Sequence, residues 1–341
     1  MSNLFKILSI DGGGIRGLLP AMIVAEIEKR LRIATGKADS YLSDYFDLIA
    51  GTSAGGLLAC FYLYRHNGIR YDAAQAVDLY EKYGAKIFHK RLFPFIMRLF
   101  DSLYPDSSIE QALGNIFGEA KLSDAPCNSA ILAYHITDRK AVIFTADAAR
   151  REKGRDYLLR DIARATSAAP TYFRVAKATA MDGVPSYLID GGIYANDPAL
   201  CAMIEARKTK FRKGEDVTAS CDRDAYPKLK DMLVVSLGTG NTAKSYRYES
   251  AKHWGVISWA IPLIDMLQSS SAEVVSYQVH SLFDAENGSE RYIRIEPELY
   301  DVNHRMDDAS PKNIARIIEA GNRYIAAHSE LLDKIVQKIV V

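Results

Sequence analysis

Cysteine is scarce in this 341-residue chain, and no two cysteines have the spacing of a metal site or a redox pair. The four cysteines are scattered, at Cys60, Cys127, Cys201 and Cys221. This excludes a Cys-x-x-Cys zinc knuckle or dithiol centre and is typical of a reducing compartment, where cysteines serve as small core residues. No other cluster of metal-ligating residues stands out, so we expect neither a metal nor a cofactor.

Long apolar runs are also absent. No uncharged run reaches the roughly 18 residues that a spanning helix needs, and the N-terminus lacks the pattern of a signal peptide. Lys plus Arg (43) nearly balance Asp plus Glu (42), which argues against a protein that coats nucleic acid. Hydrophobic residues make up 48% of the chain, enough for a folded core. We therefore expect a cytoplasmic globular protein that associates with membranes only peripherally.

Short β-prone runs alternate with helical patterns along the chain. The clearest strands are residues 5–10, 45–50, 130–136, 141–144, 187–189 and 233–237, and the clearest helices are residues 18–33, 53–64 and 311–339. This alternation predicts a three-layer α/β/α fold, in which helices cover both faces of a central, mostly parallel sheet. No linker divides the chain, so we expect one domain over residues 1–341, with the motifs in 7–240 and a C-terminal helical part in 241–341.

A Gly-x-Ser-x-Gly pentapeptide, residues 51–55, follows the second strand. A serine at a strand-to-helix turn projects its hydroxyl at the helix N-terminus, where the helix dipole favours developing negative charge. The apolar strand before the motif and the apolar helix after it favour Ser53 as a catalytic nucleophile. The alternative is a tight packing turn without chemistry.

A glycine-rich segment, residues 11–17, lies between the first strand and the first helix. Its glycines allow backbone amides to face an anion. Two interpretations compete: Gly12, Gly14 and Gly17 fit the dinucleotide fingerprint, or the loop supplies the oxyanion-hole donors of a serine hydrolase. The fingerprint also needs an acidic residue at the end of a second strand, whereas Asp39 lies in a polar loop, which disfavours a nucleotide.

Asp190, Gly191 and Gly192 directly follow the run at residues 187–189. Open α/β sheets place functional groups at the carboxyl ends of strands, so Asp190 is a candidate general base. The alternative is an Asx turn, in which the carboxylate accepts a hydrogen bond from its own backbone.

Together these three segments resemble the patatin-like phospholipases, a family of lipid acyl hydrolases. Residues 166–173 and 236–240 are also similar to family sequence, so the resemblance covers residues 7–240. It implies cleavage of a fatty-acyl ester of a glycerophospholipid at a membrane surface, with galactolipids or neutral esters as the alternative substrates. It further implies that Ser53 is the nucleophile and that Asp190 is the base, without a histidine.

The resemblance also assigns the supporting residues. It implies an oxyanion hole formed by the amides of Gly12, Gly13, Gly14 and Ala54, supporting roles for Gly51, Gly55, Gly191 and Gly192, and an Arg16 that positions the loop or meets negative charge on the substrate. A free aspartate titrates near ~3.9 and is a poor base for a hydroxyl. The site should therefore be partly closed and apolar around Asp190, since desolvation raises a carboxyl pKa.

A Ser-Asp-His triad is the alternative mechanism. In the usual α/β-hydrolase order its histidine would follow the aspartate in the chain. The candidates are His253, His280, His304 and His328. None lies in a recognisable catalytic loop, so the dyad is preferred.

Three further segments carry predictions about partners. Residues 86–100 combine basic residues with four phenylalanines and no acid. This pattern suits a face toward anionic lipid, and it equally suits a segment that covers the core while its cations reach solvent. Residues 256–267 are apolar and contain a proline; core packing is the default, and an acyl pocket, a lid or a dimer contact are the alternatives. Residues 207–213 hold five cations, which is typical of a solvated helix end.

Some bacterial members of the resembled family are immune effectors that a cyclic dinucleotide activates. By this resemblance, the cations of residues 207–213 are candidates to bind the phosphates of such an activator, in defence against phage. No dedicated nucleotide motif supports this hypothesis. A dinucleotide-binding oxidoreductase and an inactive lipid-binding protein remain the alternatives from other classes. We expect no nucleic-acid polymer as a partner, and a homo-oligomer stays open.

Overall fold

The computed structural model describes residues 4–88, 101–209, 226–240 and 246–340. Its strands are β1 (Phe5–Ile10), β2 (Leu48–Thr52), β3 (Asn128–His135), β4 (Lys140–Phe144), β5 (Ala176–Thr179), β6 (Pro185–Asp190), β7 (Met232–Leu237) and β8 (Tyr292–Ile295). Its helices are α1 (Leu18–Thr35), α2 (Ala54–Tyr62), α3 (Ala73–Ile87), α4 (Asp106–Phe117), α5 (Ala146–Arg151), α6 (Leu159–Thr166), α7 (Ala199–Ala206), α8 (Tyr248–Ala251), α9 (Val256–Ala285), α10 (Pro311–Ala327) and α11 (Ser329–Val340).

The strands form one eight-stranded sheet in the order β5-β6-β3-β2-β1-β7-β8, with β4 also paired to β3. The five strands from β3 to β8 in this order pair in parallel, and β4, β5 and β6 add antiparallel pairs. Apolar side chains cover both faces of β1 and β2, as expected for central strands between two helical layers. The predicted three-layer α/β fold with a mostly parallel sheet is confirmed.

Register explains how the predicted motifs come together. Ile10 at the end of β1 pairs with Gly51 near the end of β2, so the glycine-rich segment and the Gly-x-Ser-x-Gly turn leave the sheet at the same edge. Strand β6 runs antiparallel to β3, yet Asp190 pairs with Ala133, one residue beyond the pairing of Thr52 with Leu132. An antiparallel strand therefore brings the carboxylate to the carboxyl edge of the parallel strands.

Helices on the two faces form separate cores. Helices α7 and α9 pack against one face through Ala199, Ala202, Val279 and Phe283. The larger core on the other face contains buried residues of α1, α2, α4, α6 and α11. None of the helices in the described ranges is long and apolar enough to cross a bilayer.

Several sequence predictions need correction. Strand β2 begins at Leu48 rather than Tyr45, because Tyr45 has helical backbone angles and closes the preceding turn. The helix predicted over residues 311–339 is two helices, since His328, with φ −115° and ψ 29°, interrupts it. Residues 256–267 belong to helix α9, which continues through Pro262. The prediction that these residues pack in the core is wrong for several side chains, which are exposed: Val256, Trp259, Leu263 and Leu267.

Candidate active site

Ser53 occupies a sharp turn between β2 and α2. Its φ of 56° and ψ of −123° are uncommon for a residue with a side chain and store strain in the turn. The flanking glycines permit this turn: a Cβ at Gly51 would lie 2.1 Å from the Gly55 carbonyl oxygen, and a Cβ at Gly55 would lie 2.1 Å from that of Ile10. The small residues of the pentapeptide are thus required by close backbone packing.

Thr166, at the end of α6, fixes the backbone of the turn. The Ser53 amide donates to Thr166 Oγ1 at 3.0 Å, and this hydroxyl donates to the Leu132 carbonyl at 2.6 Å. The side chain of Thr166 also leaves no room beside Gly56, where a Cβ would lie 2.6 Å from its methyl carbon. This threonine connects the turn to strand β3, and its hydroxyl oxygen accepts the hydrogen bond of the Ser53 amide.

Asp190 is fully buried beside Ser53. Its Oδ1 accepts a hydrogen bond from the Gly192 amide at 2.7 Å, which is the Asx-type bond considered from the sequence. Its Oδ2 is buried and accepts no well-formed hydrogen bond from the described residues, so this oxygen is available to accept a proton. Burial raises the pKa of Asp190 to about 7, while the Ser53 hydroxyl and the Gly192 amide act in the opposite direction.

No histidine influences this carboxylate in the described part of the chain. The groups that act on the Asp190 pKa are Ser53 and Gly192. The ring of His280 packs edge-on against Tyr292, and the ring of His328 stacks on Tyr324. This geometry favours a dyad of serine and aspartate over a triad.

The backbone amides around Ser53 differ in whether they already donate a hydrogen bond within the protein. The Gly12 amide donates to the Asn196 carbonyl at 3.2 Å, so its predicted role as an oxyanion donor competes with a bond in the structure. Among the described residues, the amides of Gly13 and Gly14 have no such partner. Ala54 is the first residue of α2, where an amide has no acceptor within its helix. Gly13, Gly14 and Ala54 are therefore the available donors.

Glycine is needed in this loop because protein atoms approach it closely. A Cβ at Gly13 would lie 2.2 Å from Thr239 Oγ1. Gly14 has a φ of 59°, and a Cβ there would lie 2.2 Å from the Met306 carbonyl oxygen. The same carbonyl accepts the Ile15 amide at 2.9 Å. These contacts account for the glycines without a bound dinucleotide.

An apolar cavity opens from Ser53 on the Gly14 side of the loop. Ser53, Ala54, Gly14 and Met306 line it near the nucleophile, and α3 and α4 provide its far wall through Leu79, Tyr83, Ile87, Ile109, Leu113 and Ile116. Phe88 and Phe173 also line it. Ile87 and Phe88 belong to the basic and aromatic segment at residues 86–100, of which residues 89–100 lie outside the described residues. None of the described side chains of the 256–267 segment lines this cavity, so those side chains do not form an acyl pocket here.

A second cavity lies on the Gly12 side of the loop and is polar. Its lining includes Asp11, Gly12, Arg16, Asn196, Thr239, Asp265, Gln268, Glu273, Arg294 and Glu296. Within it, Arg294 donates to Asp11 at 2.6 Å and to Asp197 at 3.3 Å. Burial lowers the pKa of the Arg16 guanidinium, and the negative charges of Asp265 and Glu296 oppose this change.

Sequence reasoning missed Asn196 and Met306. Asn196 holds the glycine loop by two hydrogen bonds, since its carbonyl accepts the Gly12 amide and its Nδ2 donates to the Gly12 carbonyl, both at 3.2 Å. Its position six residues after Asp190, before an Asp-Pro pair, was the available signal. Met306 acts through its backbone, for which the sequence carries no signal. Of the predicted basic run at residues 207–213, residues 210–213 lie outside the described residues.

Comparisons with known proteins show the family of this chain. A family model described as patatin-like phospholipase matches residues 8–203. The "probable inactive patatin-3-Kuras 1" of Solanum tuberosum is 32% identical over 335 residues, which cover 95% of this chain and 87% of that protein. "Patatin-like protein 4" of Arabidopsis thaliana is 31% identical over 341 residues, covering 95% of this chain and 84% of that protein. The crystal structure of VipD from Legionella pneumophila matches with a TM-score of 0.40 and 14% identity, over 97% of this chain and 67% of that one.

Proposed function

Because this chain belongs to the patatin-like phospholipase family, we propose that it hydrolyses the fatty-acyl esters of glycerophospholipids with Ser53 and Asp190 as its catalytic residues. One observation supports this assignment above the others. A strained serine lies beside a buried carboxylate with an unpartnered oxygen and also lines an apolar cavity. A packing turn needs neither the carboxylate nor the cavity.

In the acylation step, Ser53 Oγ attacks the carbonyl carbon of the ester and its proton passes to Asp190 Oδ2. The pKa of about 7 for Asp190 makes this carboxylate a far better base at neutral pH than an exposed aspartate. The amides of Gly13, Gly14 and Ala54 stabilise the negative charge that develops on the carbonyl oxygen. Collapse of the tetrahedral intermediate breaks the ester C–O bond, and Asp190 returns the proton to the departing alcohol.

In the deacylation step, water attacks the carbonyl carbon of the acyl-serine. Asp190 accepts a proton from this water and returns it to Ser53 Oγ as the bond between that oxygen and the acyl carbon breaks, which releases the fatty acid and restores the free serine. Throughout, the acyl chain occupies the apolar cavity, whose lining offers it contacts with leucine, isoleucine and aromatic side chains. The substrate is drawn from a membrane surface, which makes membrane phospholipid the proposed partner.

Family membership alone does not establish turnover, since one relative carries the word inactive in its name. A protein that binds lipid without cleaving it is therefore the second candidate. The discriminating feature is the nucleophile, so the experiment combines labelling by a fluorophosphonate with fatty-acid release from phosphatidylcholine vesicles. The wild-type chain should be labelled at Ser53 and should release fatty acid.

Matched variants make the test specific. Ser53→Ala should lose the label and at least about 10⁴-fold in kcat, and Asp190→Asn should lose about 10³- to 10⁴-fold. Ser167→Ala is the control, because Ser167 lines the same cavity and has a buried hydroxyl without a partner. It should still be labelled. A label that survives in Ser53→Ala and disappears in Ser167→Ala would contradict the assignment of the nucleophile.

Substrate breadth is tested on the same preparations. Phospholipid, galactolipid and neutral ester are compared at equal chain length, and the proposal expects the phospholipid to have the highest kcat/KM. Activation by a cyclic dinucleotide stays a prediction. Its candidate site, residues 207–213, extends beyond the described residues after Thr209. Adding cyclic dinucleotides to the vesicle assay tests it, and an unchanged rate would oppose it.

A further inference from the structure

We propose that the polar cavity on the Gly12 side of the glycine loop receives the alcohol part of the substrate and that its acidic wall on α9 favours a cationic head group. This inference rests on the proposed function, because it names the part of a phospholipid that the apolar cavity does not take. An ester has its acyl chain and its alcohol on opposite sides of the reacting carbonyl group. With the acyl chain on the Gly14 side, the alcohol is directed toward the Gly12 side.

The cavity adjoins the dyad through its lining residues Gly12, Asn196 and Gln268, although neither Ser53 nor Asp190 lines it. A Cβ placed at Gly192 would lie 3.0 Å from Gln268 Nε2 and 3.1 Å from Asp190 Oδ1, so α9 approaches the catalytic carboxylate closely. On the other side, a Cβ at Gly12 would lie 2.3 Å from Asn196 Oδ1 and 3.0 Å from Ser53 Cβ. A leaving alcohol at Ser53 therefore meets the lining of this cavity directly.

Unpartnered polar atoms show that the cavity is built for a polar occupant. The Oδ1 of Asn196 and the Nε of Arg16 are buried without a hydrogen-bond partner among the described residues. Both residues line the cavity, with 7% and 8% of their surfaces exposed. Native proteins seldom leave buried polar atoms unsatisfied, because each loses its hydrogen bonds to water without replacement. A ligand with hydrogen-bonding oxygens and hydroxyls would satisfy them.

The charges of the lining indicate the kind of head group. Arg294 is paired with Asp11, Asp197 and Glu296, which leaves Arg16 with the carboxylates of Asp265 and Glu273 in the cavity lining. This wall is net negative, so it should attract an ammonium group and repel a head group with additional negative charge. Arg16 alone can meet the oxygens of one phosphate. A phosphate followed by an ammonium group, as in phosphatidylcholine, fits this order of charges.

The residues of helix α9 that line the cavity, including its two acids, lie on one face of the helix. Asp265, Gln268, Ala272, Glu273 and Ser276 line the cavity at spacings that place them on the same side of a helix. Asp265 accepts a hydrogen bond from the Tyr246 hydroxyl at 2.7 Å, which fixes its position. Glu273 is exposed, so its substitution should leave the fold intact.

The test compares head groups on soluble substrates. Dihexanoyl phosphatidylcholine and dihexanoyl phosphatidylglycerol are assayed as monomers at low salt, which removes any contribution from binding to a bilayer. The wild-type chain should have the higher kcat/KM on phosphatidylcholine. Glu273→Lys should lower the phosphatidylcholine to phosphatidylglycerol ratio about 10-fold, and Asp265→Asn about 3-fold, because these changes alter the charge that meets the ammonium group. High salt should reduce both effects.

Two controls separate this inference from its premise. Glu286→Gln removes an exposed acid just beyond the end of α9, outside the cavity, and should leave the ratio unchanged. Hydrolysis of p-nitrophenyl butyrate, which has no head group, should be unchanged in Glu286→Gln, and in the other two variants it shows whether the dyad still cleaves an ester. If the ratio is unchanged in Glu273→Lys while that ester is still cleaved, the head-group inference is wrong. If neither phospholipid is cleaved although Ser53 is labelled, the proposed phospholipid substrate is wrong instead.

Discussion

The two cavities beside the glycine loop differ in the polarity of their walls although they lie on either side of the same loop. Ser53 and Gly14 line the apolar cavity, and Gly12 lines the polar one. The cavity on the Gly14 side is closed by apolar side chains of α3 and α4, whereas the cavity on the Gly12 side is closed by charged and amide side chains of α9 and of the ends of β7 and β8. A strip of backbone without side chains separates them. An ester that lies across this strip is thus divided into an apolar and a polar part, and the carbonyl carbon lies at the boundary.

The largest effect is expected from adding a side chain to the glycine loop that separates the two cavities. Gly13→Ala would bring a Cβ within 2.2 Å of Thr239 Oγ1 and 2.5 Å of Thr239 Cβ, so the loop must move away from Thr239. Displacing the oxyanion donors should lower kcat at least about 10²-fold on every ester. The rate of p-nitrophenyl butyrate hydrolysis measures this loss.

Two further variants show whether the contact with Thr239 is the cause. Gly13→Ala combined with Thr239→Gly should recover part of the rate, because the clashing side chain is gone. Gly114→Ala is the control: it adds the same methyl group to α4, where nothing lies within 4 Å. Equal losses in Gly13→Ala and Gly114→Ala would mean that the effect is not local to the loop.

The rate of ester hydrolysis at Ser53 should depend on pH. As the base, Asp190 must be ionised, so kcat/KM should rise with pH through a midpoint near the pKa of about 7. Below that midpoint the rate should fall about 10-fold per pH unit. A pH profile of the soluble ester from pH 5 to 9 checks this, and the residual activity of Asp190→Asn should lack the rise. A wild-type profile that is flat between pH 5 and 8 would remove Asp190 from the role of base.

The positions of Ser53 and of the glycine loop could be predicted from the sequence, since both follow strands that are mainly apolar. The arrival of Asp190 at the same edge could not be derived from the strand pattern, because β6 is antiparallel to β3. Only the register shows that β6 ends level with the end of β2, which pairs with β3 on its other side. The contacts of Met306 and Asn196 with the loop depend on long-range packing. The proximity of α9 to Gly192 has the same origin. Local patterns do not report such contacts.

The preference for acyl-chain length can be changed independently of the preference for the head group. Ala112 lines the apolar cavity from α4 and is 3% exposed. Ala112→Phe should fill part of the space for a long acyl chain and leave room for a short one. The ratio of kcat/KM for decanoyl over butanoyl p-nitrophenyl esters should fall about 10-fold, in the range that a few methylene groups are worth. The preference between head groups should not change, and a change in it would contradict the separation of the two cavities.

The smallest effect on the rate is expected on the polar side of the loop, from substitution of Asn196. Asn196→Ala keeps the carbonyl that accepts the Gly12 amide and loses the Nδ2 bond to the Gly12 carbonyl. One neutral hydrogen bond is worth about 0.5–1.5 kcal/mol, so kcat should fall roughly 3- to 10-fold without a change in acyl-chain preference. Asn196→Asp has nearly the same shape but places a carboxyl group near Asp190. A like charge there should raise the pKa of Asp190, so the midpoint of the pH profile should move upward in Asn196→Asp and stay in place in Asn196→Ala. Equal midpoints in the two variants would show that Asn196 acts on the loop alone and that its side chain is not coupled to the charge of the base.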